Sequence, residues 1–226
     1  MDPSFAQCES AVRRSDPDRY FSTLFAPAAQ RPHLFALYAM NHELAHATES
    51  VREQMMGAIR LQWWREALEG ARAGRPRNHD VVQAMAEVFA TADLPQALFD
   101  AMIDARTENP AQLDDAARDA YLDATSGNLM RLASRILGGE HDDLAREAGI
   151  AYGLAGLLRN RAVRDDRAVR TDARRRYDAA RLLPKPGRAL AAFLPASLVP
   201  LYLKTMQPSL HRKQLALLRG ALLGRV

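Results

Sequence analysis

Two histidines and a glutamate follow one another at helical spacing. His42 and His46 are four residues apart, and Glu49 follows His46 by three. On an α-helix these spacings place the side chains on one face, where imidazole and carboxylate groups can bind Zn²⁺. Apart from Glu49, no third ligand stands at a partnering spacing. Hydrogen-bonded pocket or surface histidines are therefore the simpler interpretation, and we predict no metal site.

A second group that can do chemistry is basic. Between Arg159 and Arg188 eleven Lys and Arg residues stand against four Asp, although the formal net charge of the chain is only +4. A solvated helix face with local ion pairs explains such a run. The alternatives are an anionic membrane surface, a diphosphate ligand or an acidic partner. Nucleic acid is not expected, because Tyr177 is the only aromatic residue in this window that can stack on a base.

The elements that must position these groups are predicted to be helices. Ala, Leu, Arg and Glu dominate the chain, and no alternating apolar pattern indicates a strand. Apolar residues repeat every four positions from Val51 to Ala71, and a similar helix from Ala117 to Leu137 ends at Gly138–Gly139. Asp114 is a predicted N-cap. We expect an all-α fold of about nine or ten helices.

Turns that contain proline and glycine separate the helices, but they do not divide the chain into domains. Pro184–Gly187 separates two helices, and Pro208–Ser209 opens a last helix over Leu210–Leu223. Because no linker is long enough to divide the chain, we predict a single domain over residues 1–226.

Compartment and membrane association follow from composition. Cys8 is the only cysteine, which excludes an intramolecular disulfide and fits a reducing compartment. The first fifteen residues carry charges and lack the apolar run of a signal peptide. Ala189–Leu203 contains Pro195 and Pro200 and is shorter than the roughly 20 residues of a membrane span, so a buried core helix is expected there. We expect a cytoplasmic protein, either soluble or peripheral to the inner membrane.

Several motifs along the chain resemble those of one family. Arg31 precedes the apolar run Leu34–Met40, the pair Trp64–Arg65 follows on the next helix, and the stretch Tyr121–Gly127 has the small residues of a helix kink. Together they resemble the squalene/phytoene synthase family. The resemblance covers most of the chain, and it implies an isoprenoid-synthase-like helical bundle with a central cavity.

The family's first acidic motif is mostly missing. The resemblance implies two D-x-x-x-D motifs, whose carboxylates hold the Mg²⁺ that neutralises a diphosphate leaving group. Aligned on the apolar run, the first motif falls on residues 45–49. Its first acidic position is Ala45 and its second is His46, so only Glu49 keeps a carboxylate. That carboxylate can instead pair with Arg31 or Arg65 in a structural polar network.

The second acidic motif is also altered. Gly153–Leu154–Ala155 and Asn160 match the residues that precede it in the family, and the acidic positions then fall on Arg164 and Ala168. The chain is shorter after Asn160 than the family pattern, through a deletion or an absent loop. Arginine can bind a phosphate directly, without a metal. The Arg159–Arg164 cluster therefore predicts binding of a diphosphate or a phospholipid head group without turnover.

One branch of the family is favoured. The run Asn41–Ala45 and the stretch Gln62–Trp64 are similar to bacterial and mitochondrial members related to a complex I assembly factor, which keep the fold and lose the acidic motifs. The resemblance implies a non-catalytic protein without cofactors, which acts with a respiratory-complex subunit or binds a prenyl diphosphate or anionic lipid. An active prenyltransferase with a non-standard site, which would need Mg²⁺, is the alternative. A plain lipid or prenyl carrier is a third.

The residues expected to contact a substrate or ligand stand at the family's motif positions. They are Arg31, Tyr38, His42, His46, Glu49, Trp64, Gly127, Asn160 and Arg164. For Tyr38, and for at least one residue of the pair Trp63–Trp64, ordinary core packing is the alternative explanation.

Overall fold

The computed structural model describes residues 3–49, 54–162, 167–205 and 207–226. These residues form thirteen α-helical segments and no strand, which confirms the all-α prediction. They group into two compact units, Met1–Glu108 (unit 1) and Asn109–Val226 (unit 2). The single domain over residues 1–226 stays a prediction. More helices are present than expected because the segment between Gly187 and Lys204 is divided into short ones.

Unit 1 is arranged around one buried helix. Its α-helices are α1 (Pro3–Ser15), α2 (Pro17–Thr23), α3 (Arg31–Glu49), α4 (Gln54–Arg72), α5 (Asp80–Thr91) and α6 (Gln96–Ala105). Helix α3 contacts α1, α2, α4 and α5. Every residue from Leu34 to Met40 is buried, as expected of a helix that is apolar on all sides. Each large side chain in this run contributes about 1.5–3 kcal/mol by leaving water.

Unit 2 is arranged around a central helix. Its α-helices are α7 (Asp115–Leu122), α8 (Asn128–Ile136), α9 (Asp142–Arg159), α10 (Arg167–Leu182), α11 (Leu190–Phe193), α12 (Val199–Lys204) and α13 (Leu210–Leu223). Helix α9 contacts α7, α8, α10 and α12. The carboxylate of Asp114 accepts a hydrogen bond of 2.8 Å from the backbone N–H of Ala117, so the predicted N-cap of α7 is confirmed.

The predicted helix from Ala117 to Leu137 is interrupted by a π-helical turn at Asp123–Gly127. Helix α9 lies directly against this turn, because two of its glycines leave room for the backbone. A Cβ on Gly149 would stand 2.6 Å from Gly127 Cα, and a Cβ on Gly153 would stand 2.7 Å from Leu122 Cδ2. The helix kink expected at Tyr121–Gly127 is thus present and is fixed by close packing.

The segment Ala189–Leu203 is largely buried, as predicted, but it is not one helix. Short α and 3₁₀ segments alternate through it, and the 3₁₀ turn Leu194–Leu198 joins α11 to α12. Pro195 and Pro200 each occupy the first turn of a short segment, where the missing N–H costs little. Across the described ranges, no helix is both long enough and apolar enough to cross a membrane.

The contact between α9 and the π-helical turn gives a stability prediction. We expect Gly149→Ala to lower the free energy of unfolding by about 1–3 kcal/mol, because the new methyl group would overlap backbone that cannot move away cheaply. Chemical denaturation followed by circular dichroism measures the change.

Gly156→Ala in the same helix is the matched control. A Cβ there meets no atom within 4 Å, so alanine should raise the free energy of unfolding by about 0.5–1 kcal/mol through its better helix propensity. Equal effects of the two substitutions would contradict the close approach at Gly149.

Candidate functional site

A pocket of about 230 Å³ lies between α3 and α4 in unit 1. It is lined by Glu43, His46, Ala47, Arg60, Trp63 and Trp64. Two of the predicted ligand-contacting residues, His46 and Trp64, are therefore brought together. The pocket also includes the motif position Ala47, so it lies where the family resemblance places the first acidic motif.

Aromatic rings form one wall of this pocket. The rings of Trp63 and Trp64 are nearly perpendicular, with centroids 5.1 Å apart, and the His79 ring lies 5.7 and 5.3 Å from them. Trp64 is buried, whereas Trp63 is half-buried, with the Arg77 guanidinium 5.2 Å from its ring. Trp64 thus belongs to the core, and Trp63 is the tryptophan that an incoming group can contact.

His79 packs against both tryptophans, a contact that the sequence did not indicate. It stands at the N-cap position of α5 without a side-chain capping bond. Its Nδ1 is buried and has no hydrogen-bond partner among the residues that the structure describes. An isolated histidine before a helix carries no spacing signal, so only the tertiary contact with the two tryptophans reveals its position.

The rings of the two histidines of α3 contact each other at a tilt of 51°. Their ring centroids are 4.1 Å apart, and His46 Nδ1 lies 3.2 Å from the carbonyl oxygen of His42. The tautomer with its proton on Nδ1 donates to that carbonyl, and His46 Nε2 is then an acceptor. The Glu49 side chain lies outside the described residues, so its grouping with His42 and His46 rests on helical spacing alone.

The donors on α3 do not fit the paired-carboxylate arrangement that Mg²⁺ requires. Ala45 offers no oxygen, and His46 offers nitrogen where Mg²⁺ prefers oxygen ligands. Among the described side chains, no cluster of three His, Cys, Asp or Glu residues could hold a metal ion. The wall of the pocket carries one carboxylate, Glu43, and one guanidinium, Arg60.

Two other predicted site residues, Tyr38 and Arg31, have structural contacts. Burial raises the pKa of the Tyr38 phenol well above its ordinary value, although the charge of Arg19, 5.6 Å from the ring, acts in the opposite direction. Arg31 Nε donates a hydrogen bond of 2.9 Å to the carbonyl of Ala26. This bond joins the start of α3 to the loop before it.

Arg65, one of the two arginines predicted to pair with the motif carboxylate, donates to Asp100 and Asp104, at 2.5 Å each, and so connects α4 to α6. Its pairing with Glu49 stays a prediction, because the Glu49 side chain lies outside the described residues. Neither aspartate was singled out, because they lie 35 and 39 residues further along the chain.

The predicted site residues of unit 2 lie at separate positions, and the structure tells less about them than about those of unit 1. Gly127 lies in the π-helical turn, where a Cβ would meet Asp123 Oδ1 at 2.5 Å, so its small size is needed for packing. Asn160 is exposed at the C-terminal end of α9. Arg164 lies outside the described residues. Arg159 packs over the Tyr202 ring, with 4.8 Å between its guanidinium carbon and the ring centroid.

The basic stretch of unit 2 combines a solvated face with one inward-facing residue. On the exposed side Arg174 pairs with Asp178, as local ion pairs predict. Arg176 points inward to Asp119 and to Glu147, the latter at 2.9 Å. Burial alone would lower the pKa of Arg176, but these two carboxylates raise it above its ordinary value. Arg176 therefore joins α7, α9 and α10 and is not available to a ligand.

Comparison with known proteins identifies the family. The sequence model of the squalene/phytoene synthase family matches residues 12–177. A solved dehydrosqualene synthase superposes with a TM-score of 0.76 over 96% of this chain and 95% of that chain, at 17% identity. The chain belongs to the squalene/phytoene synthase family, and its fold is the isoprenoid synthase helical fold.

Several relatives of the chain carry the same protein name. The chain is 30% identical to human NADH dehydrogenase (ubiquinone) complex I, assembly factor 6, over 67% of this chain and 47% of that protein. The mouse protein is 30% identical over 69% and 49%, and a Dictyostelium discoideum homolog is 25% identical over 66% and 44%. The chain spans about half the length of these relatives.

The two tryptophans should differ in what they contribute. We expect Trp64→Ala to lower the free energy of unfolding by about 3–5 kcal/mol, because it leaves a cavity in the core. Trp63→Ala should lower the free energy of unfolding clearly less, since this side chain is already partly exposed. Urea denaturation of the two variants measures the difference, and a larger loss for Trp63→Ala would contradict the assignment of Trp64 to the core.

Proposed function

We propose that this chain is a non-catalytic member of its family that acts in the assembly of a respiratory complex at the surface of the inner membrane. The observation that carries the proposal is on α3. The apolar half of the helix is kept and fully buried, whereas Ala45 and His46 stand where the resemblance places acidic residues. A scaffold that is kept without its metal ligands suits binding better than turnover.

The chemistry of the pocket supports binding to a protein. Ionising an allylic diphosphate requires Mg²⁺ held by converging carboxylates, and the α3 positions do not provide them. The pocket instead combines the half-buried Trp63 with a carboxylate, Glu43, and a guanidinium, Arg60. Aromatic and arginine side chains dominate binding energy at protein interfaces.

An exposed apolar surface continues from the pocket along α4. Met55, Met56 and Ile59, here called the α4 apolar surface, are 70%, 44% and 57% exposed, and Arg60 follows on the next turn. Three large apolar side chains on adjacent turns cost solvation unless something covers them. The relatives are named as complex I assembly factors, so we propose a subunit of a respiratory complex as the partner that binds here.

Loss of the encoding gene tests the proposed function. In the organism that encodes the chain, we expect deletion to reduce the amount of assembled NADH dehydrogenase complex, measured on native gels and by NADH oxidation of isolated membranes. The wild-type gene should restore both. Normal assembly in the deletion strain would refute the proposed role.

The α4 apolar surface is tested in the same strain. Met55→Glu combined with Ile59→Glu should fold normally, because both side chains already face water and a carboxylate near a helix start suits the helix dipole. It should fail to restore the complex, because the charges would be buried without partners at the interface.

The matched control is Leu24→Glu combined with Phe25→Glu. These residues are 41% and 43% exposed in the same unit but follow α2. This variant should restore the complex as the wild type does. Equal rescue by both double variants would exclude the α4 apolar surface as the docking site.

A further inference from the structure

A larger pocket lies in unit 2, apart from any motif of the family. It has a volume of about 440 Å³ and lies between α10, the segment of the chain around α12, and α13. Its position is set by α13, which packs on the 3₁₀ turn Leu194–Leu198. Gly220 allows the contact, since a Cβ there would be 2.6 Å from Ser197 Oγ.

Six basic side chains line this pocket, and they come from separate parts of unit 2. They are Arg174, Arg181, Lys204, Arg212, Arg219 and Arg225, here called the basic pocket residues. No acidic side chain is among the described residues that line it. The guanidinium carbons of Arg174 and Arg181 each lie 5.9 Å from the centroid of the Tyr177 ring, so these two charges converge on one side chain.

The basic pocket residues differ from the other arginines of unit 2 in their surroundings. Arg131, Arg135 and Arg176 each face a carboxylate within hydrogen-bonding distance. Of the six basic pocket residues, only Arg174 has an ion pair within the described ranges, with Asp178. Most of the positive charge of the pocket is therefore not neutralised by the side chains that the structure describes, and such a cleft attracts anions.

Apolar side chains stand beside the charges on α13. Leu215, Leu218 and Leu222 are 65%, 46% and 79% exposed. Their spacings of three and four residues place them on one face of the helix. Leu215 also lines the pocket. A helix with exposed leucines flanked by Arg and Lys is typical of segments that lie in a membrane interface.

We propose that this face of unit 2 binds an anionic phospholipid membrane, with a lipid phosphate in the basic pocket and the α13 leucines at the acyl boundary. Charge complementarity and exposed leucines together favour a membrane over a soluble phosphate, which would use the charges and leave the leucines in water. The pocket is large enough for a phosphodiester head group. The proposal does not depend on the assembly role, because it concerns a different unit and a different ligand.

Sedimentation with vesicles tests the proposal on the full chain. We expect binding to vesicles of phosphatidylglycerol mixed into phosphatidylcholine, falling as salt is raised, and little binding to phosphatidylcholine alone. Arg212→Gln combined with Arg219→Gln should weaken partitioning about ten- to thirty-fold, from the contribution of each basic residue near an anionic surface. Equal binding to both vesicle types would overturn the proposal.

Two further variants separate the pocket from general charge. Arg14→Gln combined with Arg75→Gln removes the same charge from exposed positions in unit 1 and should bind vesicles as the wild type does. An equal loss in this control would overturn the role of the pocket. Leu215→Ser combined with Leu222→Ser, at positions already in water, should also weaken binding, and unchanged binding would overturn the insertion of α13.

Titration with soluble anions is the remaining test of the membrane proposal. Sodium phosphate and sodium diphosphate, titrated calorimetrically into the protein without vesicles, should bind weakly or not at all. Tight binding of either ion without binding to vesicles would replace the membrane with a soluble phosphate ligand. If a variant that no longer binds vesicles still supports normal assembly of the respiratory complex in the cell, that result would overturn only the separate claim that the chain works at the membrane surface.

Discussion

Burial of the run Leu34–Met40 of α3 on all sides is the constraint on which unit 1 depends. The run has no charged side chain, and α1, α4 and α5 pack against α3. Its burial fixes the direction of the following turns, which carry His42 and His46. The pocket between α3 and α4 therefore exists because of the core, and not because any ligand is needed to form it. This explains how the chain can keep the family's fold while the chemical residues change.

The same separation of scaffold and chemistry recurs in unit 2. Close packing of α9 on the π-helical turn needs Gly149 and Gly153, and both are independent of any acidic motif. The inward ion pairs of Arg176 connect three helices through charge. Packing and ion pairs thus hold the helices of this unit in the family's fold. The basic pocket residues on α10 and α13 face solvent, away from these packing contacts.

Much of this was predictable from local patterns. The apolar run of α3, the N-cap at Asp114 and the last helix Leu210–Leu223 follow from composition and spacing, and the structure confirms each. Core packing and ligand contact are the two interpretations of the tryptophans; burial places Trp64 in the core, whereas ligand contact by Trp63 stays a prediction. The kink near Gly127 was expected from the family resemblance, but its π-helical form was not.

What could not be predicted depends on contacts between distant residues. Arg65 meets Asp100, which is 35 residues away, and Arg176 meets Asp119, which is 57 residues away. Spacing rules report only neighbours on the same helix, so these partners had no signal. His79 against the tryptophans and the convergence of α10 with α13 were missed for the same reason. Each is decided by how helices pack, after the helices themselves are fixed.

Direct assay of turnover tests the central claim that the fold is kept without catalysis. Purified protein is incubated with farnesyl diphosphate or geranylgeranyl diphosphate and Mg²⁺, beside an active synthase of the family as the positive control, and released pyrophosphate is measured. We predict no release above that of buffer, because Ala45 and His46 cannot supply the missing carboxylates. Release at an ordinary enzyme rate, about 1 s⁻¹ or faster, would contradict the account.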